Sequence, residues 1–160
     1  MWKEYFGPKC HIYGVDVRKE CVQYEDERIR IFVGDQSDRS FWTSFKREVP
    51  KLDIIIDDGG HLAKQQIVTL QEMLPHLQPG GVYLCEDVHG DTSGFSSFVQ
   101  KLGSNLNEFR QIPATNLVAE KNILQTAINS IHHYPFVFVF ERSNDSSALF
   151  IAEKRGDQWR

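Results

Sequence analysis

The sequence predicts a doubly wound α/β domain whose mostly parallel sheet finishes in an antiparallel hairpin. Three observations point to it. Four short runs of β-branched and aromatic residues each end in acidic residues, an amphipathic helical segment separates the third run from the fourth, and two further apolar runs close the chain across a polar turn. The 160 residues suit a single domain spanning 1–160, long enough to bury a sizeable core.

The first run is His11 to Asp16 and the second Ile29 to Asp35, with a charged connection of undefined form, Arg18 to Arg28, between them. Ser37 to Arg47 reads as a short helix with Phe41, Trp42 and Phe45 on its apolar face. The third run is Leu52 to Asp58. Leu62 to Leu77 then places Ile67, Leu70, Leu74 and Leu77 at helical spacing and stops at Gln78-Pro79-Gly80-Gly81. The fourth run is Val82 to Asp87. Strands alternating with helices imply parallel pairing with both faces covered. Further on, Ser93 to Leu102 and the longer Leu117 to Ile131 read as helices. Phe136 to Glu141 and Ala148 to Glu153, joined by Arg142 to Ser147, read as two strands of a hairpin.

Composition excludes several classes. Hydrophobic residues are 41% and charged residues 25%, a globular balance, and no apolar run approaches the ~20 residues of a membrane helix. A net charge of −4 argues against a nucleic-acid surface. Cys10, Cys21 and Cys85 form no CxxC pair, and the N-terminus has no signal-peptide shape, so the expectation is a cytoplasmic protein without a disulfide or zinc framework. His132-His133 have neither helical nor metal-motif spacing and read as surface or packing residues. A GxSxG nucleophile motif is absent.

In open α/β sheets ligands bind outside the carboxyl ends of the strands. Here that rim carries Asp16, Asp35, Asp57, Asp58, Glu86 and Asp87, like charges that call for a cation or a ligand rich in hydroxyls and amines. Asp16 suits the hydrogen-bonding of ribose hydroxyls, or else a solvated strand end. Asp57-Asp58-Gly59-Gly60-His61 places two carboxylates, a flexible turn and an imidazole in sequence. Four carboxylates from two neighbouring strand ends, Asp57 and Asp58 with Glu86 and Asp87, can converge on a hard cation such as Mg²⁺, with His61 set to deprotonate a polarised hydroxyl. The plainer alternative makes Asp58 a helix cap and Glu86-Asp87 a solvated loop.

Ile-Tyr-Gly-Val-Asp16, Gly34-Asp35-Gln36-Ser37-Asp38, Ile56-Asp57-Asp58-Gly59-Gly60-His61, Leu74-Pro75-His76-Leu77-Gln78-Pro79-Gly80-Gly81-Val82-Tyr83 and Glu86-Asp87-Val88-His89 occur in that order. With Ser130-Ile-His-His-Tyr134 they resemble the class I S-adenosylmethionine-dependent methyltransferases of the macrolide sugar O-methyltransferase type, over residues 1 to about 142. The resemblance implies a Rossmann-like fold, S-adenosylmethionine and Mg²⁺ as cofactors, and a small-molecule hydroxylated acceptor. It matches Asp58, Glu86 and Asp87 to the metal ligands and His61 to the catalytic base. Asp16 matches the ribose-binding acid, Asp35 with Gln36 the adenine-side contacts, and Asp58 also faces the methionine end of the cofactor.

The sequence departs from that family at its start. The family carries a first strand and a glycine-rich turn ahead of a Trp-Arg-Tyr-Phe-like helix, whereas this sequence opens at Met1-Trp2-Lys3-Glu4-Tyr5-Phe6. The expected sheet is therefore N-terminally incomplete, with two unpaired strand edges. That expectation carries alternatives: a homo-oligomer or a completing partner chain, a truncated or non-catalytic methyltransferase-like remnant that pairs with such a partner, or a metal-dependent hydrolase using the same carboxylates.

Overall fold

A computed structural model describes residues 1–89, 94–111, 118–145, 147 and 149–151. A single helical turn, α1 (Trp2–Tyr5), precedes β1 (Ile12–Asp16). The charged connection that follows contains a 3₁₀ segment, Lys19–Tyr24, before β2 (Ile29–Val33). Then come α2 (Arg39–Glu48), β3 (Leu52–Asp57), α3 (Ala63–Met73) and β4 (Leu77–Cys85). The predicted helix over Leu62 to Leu77 ends early because Pro75 cannot continue it; Leu74–His76 forms a 3₁₀ turn and Leu77 already belongs to β4. α2 begins where Asp38 accepts the Ser40 N–H at 2.8 Å, and it buries Trp42 and Phe45.

β1 and β2 pair in parallel, as do β3 and β4. Two antiparallel strands extend the second pair, giving the order β3-β4-β8-β7. The doubly wound α/β class expected from the sequence is therefore present, with parallel and antiparallel strands mixed.

The second half corrects the sequence reading in two places. α4 runs Phe95–Asn105, overlapping the expected helix, whose first residue Ser93 lies outside the described residues. The long helix expected over Leu117 to Ile131 is instead β6 (Val118–Lys121), a short α5 (Ile123–Ala127) and β7 (Ile128–Tyr134), with Leu117 outside the described residues. Asn122 restarts the chain as α5 by accepting the N–H groups of Leu124 and Gln125. After one helical turn and a little more, pairing with β8 outweighs helix propensity: Ile131 faces Phe140 and His133 faces Phe138 in register.

The closing hairpin is likewise made of other strands. β8 (Val137–Arg142) pairs with β7 across the turn at Pro135-Phe136, and not with the last apolar run. That run supplies β9 (Leu149–Ile151), which pairs with β6 in a separate sheet of order β5-β6-β9, where β5 is Phe109–Gln111. Ala148 and residues 152–153 of the expected strand lie outside the described residues. β8 gains more beside β4, because Phe138 and Phe140 become buried there against Phe95 and Tyr83.

The core lies where β4 and β8 meet α3 and α4. Leu70, Met73, Leu77, Tyr83, Cys85, Phe95, Phe138 and Phe140 are buried there. Burial of one such side chain is worth about 1.5–3 kcal/mol. Among the described residues no ladder joins β1 to β3. A cleft of about 320 Å³ separates them, lined by Tyr13, Gly14 and Val15 on one side and Ile54, Ile55 and Ile56 on the other. No helix of the described residues is long and apolar enough to cross a membrane.

Candidate active site

The parallel register places Asp57 opposite Cys85, so the residues following each strand emerge side by side. The Glu86 N–H donates to the Asp57 carbonyl at 2.9 Å and locks the two ends together. From β3 the chain passes through Asp58-Gly59-Gly60-His61 to Leu62, the N-cap of α3. Asp58 is therefore not the cap of that helix. From β4 it passes through Glu86 to Asp87, which sits at φ +50°, a left-handed conformation that costs a non-glycine residue energy and clusters at functional sites. The Val88 N–H then donates to the Phe136 carbonyl at 3.0 Å, and Phe136 is also left-handed at φ +63°.

These two turns bring Asp58, His61 and Asp87 together: one potential ligand atom from each lies within 4.8 Å of the others, and all three side chains are exposed. His61 Nε2 stands 3.9 Å from Asp87 Oδ2, and the His61 ring lies edge-on to the His89 ring at 6.1 Å. Two carboxylates and an imidazole form a donor set that suits a hard or borderline divalent cation. Glu86 follows directly from the same strand end but is not part of that cluster.

Asp57 departs from the expectation that four carboxylates converge outward. Its side chain turns into the core, where Oδ2 accepts the Tyr83 hydroxyl at 2.7 Å and Oδ1 accepts the Gln36 amide at 3.0 Å. Burial pushes its carboxyl above the ordinary value against the opposing pull of those donors, the Gly59 N–H included. The physical reason is strand alternation: Asp57 and Ile55 share a face with the buried Tyr83 and Cys85, whereas Ile54 and Ile56 point to the opposite face of β3 and stay exposed. The Tyr83–Asp57 pair was not identified from the sequence. An acid closing an isoleucine run beside a strand with a tyrosine two residues before its end is the signal that marks it.

The other site residues stand along the same rim. At the end of β1, Asp16 accepts the Arg18 N–H at 2.8 Å, and that bond first, with Cys21 second, holds its carboxyl below the ordinary value. Asp35 accepts the Ser37 N–H at 2.7 Å in the turn leading to α2. Gln36 lies over the cleft, which reaches from the β1–β3 gap up to Asp57, Asp58 and Gly59. Cys85 is buried, its thiol pushed well up by burial, and acts as a small apolar side chain. His133 stacks on Phe138 at 4.2 Å, a packing contact, and His132 stands 3.6 Å from Glu141. A second groove, about 450 Å³, lies at the opposite, amino-terminal ends of β1 and β2. Its charges already satisfy one another through Lys3–Asp26 and Arg30–Glu48.

No family model matches the chain. Individual proteins do. In an alignment of 157 positions that covers 90% of this chain, it is 27% identical to 8-demethyl-8-alpha-L-rhamnosyl tetracenomycin-C 2'-O-methyltransferase of Streptomyces olivaceus, covering 40% of that protein. Over 88 residues, 55% of this chain, it is 38% identical to mycinamicin VI 2''-O-methyltransferase of Micromonospora griseorubida, covering 22% of it. Its fold matches the MycE methyltransferase of the mycinamycin biosynthetic pathway, solved in complex with Mg and SAH, with TM-score 0.73 and 26% identity. That match covers 90% of this chain and 39% of the MycE chain. The chain thus spans between about a fifth and two fifths of these relatives. In sequence and in fold it is similar to the class I S-adenosylmethionine-dependent methyltransferases of the macrolide sugar O-methyltransferase type.

Proposed function

We propose that this chain forms the catalytic rim of an S-adenosylmethionine-dependent, Mg²⁺-assisted O-methyltransferase acting on a hydroxyl of a sugar or another small molecule. The observation that carries the reading is the convergence of Asp58, His61 and Asp87 at adjacent parallel strand ends, in a chain similar to MycE, whose structure was solved with Mg, SAH and mycinamycin VI. The relatives named above are O-methyltransferases, which favours methyl transfer over hydrolysis or a non-catalytic remnant.

Asp58 and Asp87, joined by Glu86, would hold the cation. A divalent ion there supplies positive charge that orients vicinal hydroxyls and acidifies one of them. His61, exposed at the edge of the cluster, would take the hydroxyl proton. S-adenosylmethionine, when bound, would supply a methyl group on a sulfonium for the freed oxygen to take, with the neutral sulfide as leaving group, and His61 would keep the proton. The methyl group is already activated, so alignment supplies most of the rate. Asp16 is assigned to the ribose hydroxyls, Asp35 to the adenine side, and Asp58 to the methionine end as well; Gln36, expected on the adenine side, instead spends its carboxamide on Asp57, Thr69 and Gly60.

The open inner edges of β1 and β3 support one addition: a partner chain that lays a parallel strand between them would complete the sheet and wall off the cofactor side. Calorimetric titration of S-adenosylhomocysteine, with and without Mg²⁺, tests the central reading. Micromolar binding strengthened by Mg²⁺ is expected. Absence of heat from folded protein in both conditions overturns the reading for this chain by itself. Sedimentation over a concentration series then decides whether a completing copy is involved.

A further inference from the structure

One side chain spans the carboxyl ends of the two half-sheets. Gln36, which follows β2, donates through Nε2 to Asp57 Oδ1 at 3.0 Å and to Thr69 Oγ1 at 3.1 Å. Its Oε1 accepts the Gly60 N–H at 2.6 Å. Its own carbonyl accepts the Trp42 indole N–H at 2.8 Å, so the residue is anchored from α2 before it reaches β3 and α3. Both amide protons are therefore spent inside the protein, on an acid that is itself held by Tyr83. The turn above is fitted tightly: a Cβ on Gly59 would stand 2.2 Å from Gln36 Oε1, so a side chain there would displace the Gln36 carboxamide.

The turn that presents Asp58 and His61 is thus gripped from beneath at two consecutive amides, Gly59 on Asp57 and Gly60 on Gln36. Asp58 and His61 themselves are exposed and gain no such support from their own side chains' burial. We propose that Gln36 is a positioning residue, whose carboxamide clamps the Asp57–Gly60 turn and so sets Asp58 and His61 against Asp87 for a divalent cation. Groups of this kind fix ligand-bearing loops by supporting them from the layer behind. The last step rests on the reading of Asp58 and Asp87 as cation ligands; the clamp itself requires no cation.

Amide hydrogen exchange at Gly60, followed by NMR, and Mn²⁺ binding, followed by electron paramagnetic resonance, test the two steps separately. In Gln36→Met, which keeps the volume and loses every hydrogen bond of the amide, Gly60 exchange is expected to rise about tenfold and Mn²⁺ affinity to fall about tenfold. Tyr83→Phe removes the other donor to Asp57 and weakens the fold, yet leaves the Gly60 bond; its Gly60 exchange, corrected for global opening, should stay within about twofold of the unaltered protein. Thr69→Val frees one amide proton of Gln36 and is expected to give a smaller rise than Gln36→Met, so it carries the test if that variant fails to fold. Unchanged Gly60 exchange in Gln36→Met, or in Thr69→Val should Gln36→Met fail to fold, overturns the clamp, as does an equal rise in Tyr83→Phe. Faster exchange with unaltered Mn²⁺ affinity overturns the positioning role. Loss of Gly60 protection in a protein that binds no Mn²⁺ even without substitution supports the clamp and removes the cation reading.

Discussion

The two half-sheets are built from similar residues and end differently. β1 is partly exposed at every position and β2 leaves two of its residues exposed, whereas β4 fully buries Leu77, Tyr83 and Cys85, and β8 buries Phe138 and Phe140. The distinction is the number of neighbours. β4 and β8 have a paired strand on each side and helices over them, while among the described residues β1 and β3 each lack a ladder along the cleft. Burial in a sheet is therefore a property of position in the strand order more than of the side chain. Ile54 and Ile56, as apolar as anything in the chain, remain 44% and 40% exposed. The first half-sheet is held to the second mainly through helices and side chains: Phe32 meets Phe45 edge-on at 4.8 Å, and Gln36 reaches Asp57.

This contrast can be broken or sharpened by substitution. The largest effect is expected at the centre of the second half. Phe140→Ala should cost about 3–5 kcal/mol in urea unfolding, because a fully buried ring leaves a cavity. Next, Tyr83→Phe leaves the buried Asp57 carboxylate with one donor fewer and should cost about 1–3 kcal/mol. A loss below about 0.5 kcal/mol would show that water reaches Asp57 through the cleft.

Smaller is the tie between α2 and α3, where Lys46 Nζ meets Glu72 at 2.7 Å and Arg39 meets it from the other side. The Lys46 hydrogen bond, with Arg39 in support, holds the Glu72 carboxyl below its ordinary value of 4.5. A lowered carboxyl stabilises the fold above the unfolded value and loses that contribution as the pH falls through the folded one. Lys46→Met should therefore cost up to about 1 kcal/mol at pH 7, with the difference from the unaltered protein shrinking below about pH 4.5. A cost independent of pH would assign the contact to packing of the lysine stem. The smallest effect is expected on the cleft wall: Ile54→Thr should change stability by less than about 0.5 kcal/mol, since half the side chain already faces solvent. A larger loss would mean that the cleft is closed in solution.

Most of the first ninety residues were legible because strand, helix and stop signals agreed. Ile54-Ile55-Ile56 followed by Asp57, and the Pro79-Gly80-Gly81 stop, mark their elements locally. The second half was not legible to the same degree. Ile123–Ala127 has the apolar spacing of a helix and does form one, but the chain beyond it is taken by β8 as a strand, a choice made by partners distant in sequence. The same holds for the hairpin, where a six-residue polar segment between two apolar runs resembles a turn, yet the first run is buried beside β4 and the last pairs with β6. At the site, the identities of Asp58, His61 and Asp87 could be read from the chain, while the inward turn of Asp57 could not.

By itself the sequence determined which segments alternate, where the acids gather and which family the chain resembles, since these depend on local pattern and residue order. Only the tertiary structure decided that Asp57 serves the core and not the rim, that Gln36 grips the Gly60 amide, and that β1 and β3 face each other without a ladder. Each of those outcomes depends on which surfaces meet, and a buried polar group or a strand edge is satisfied only by a neighbour that folding brings to it.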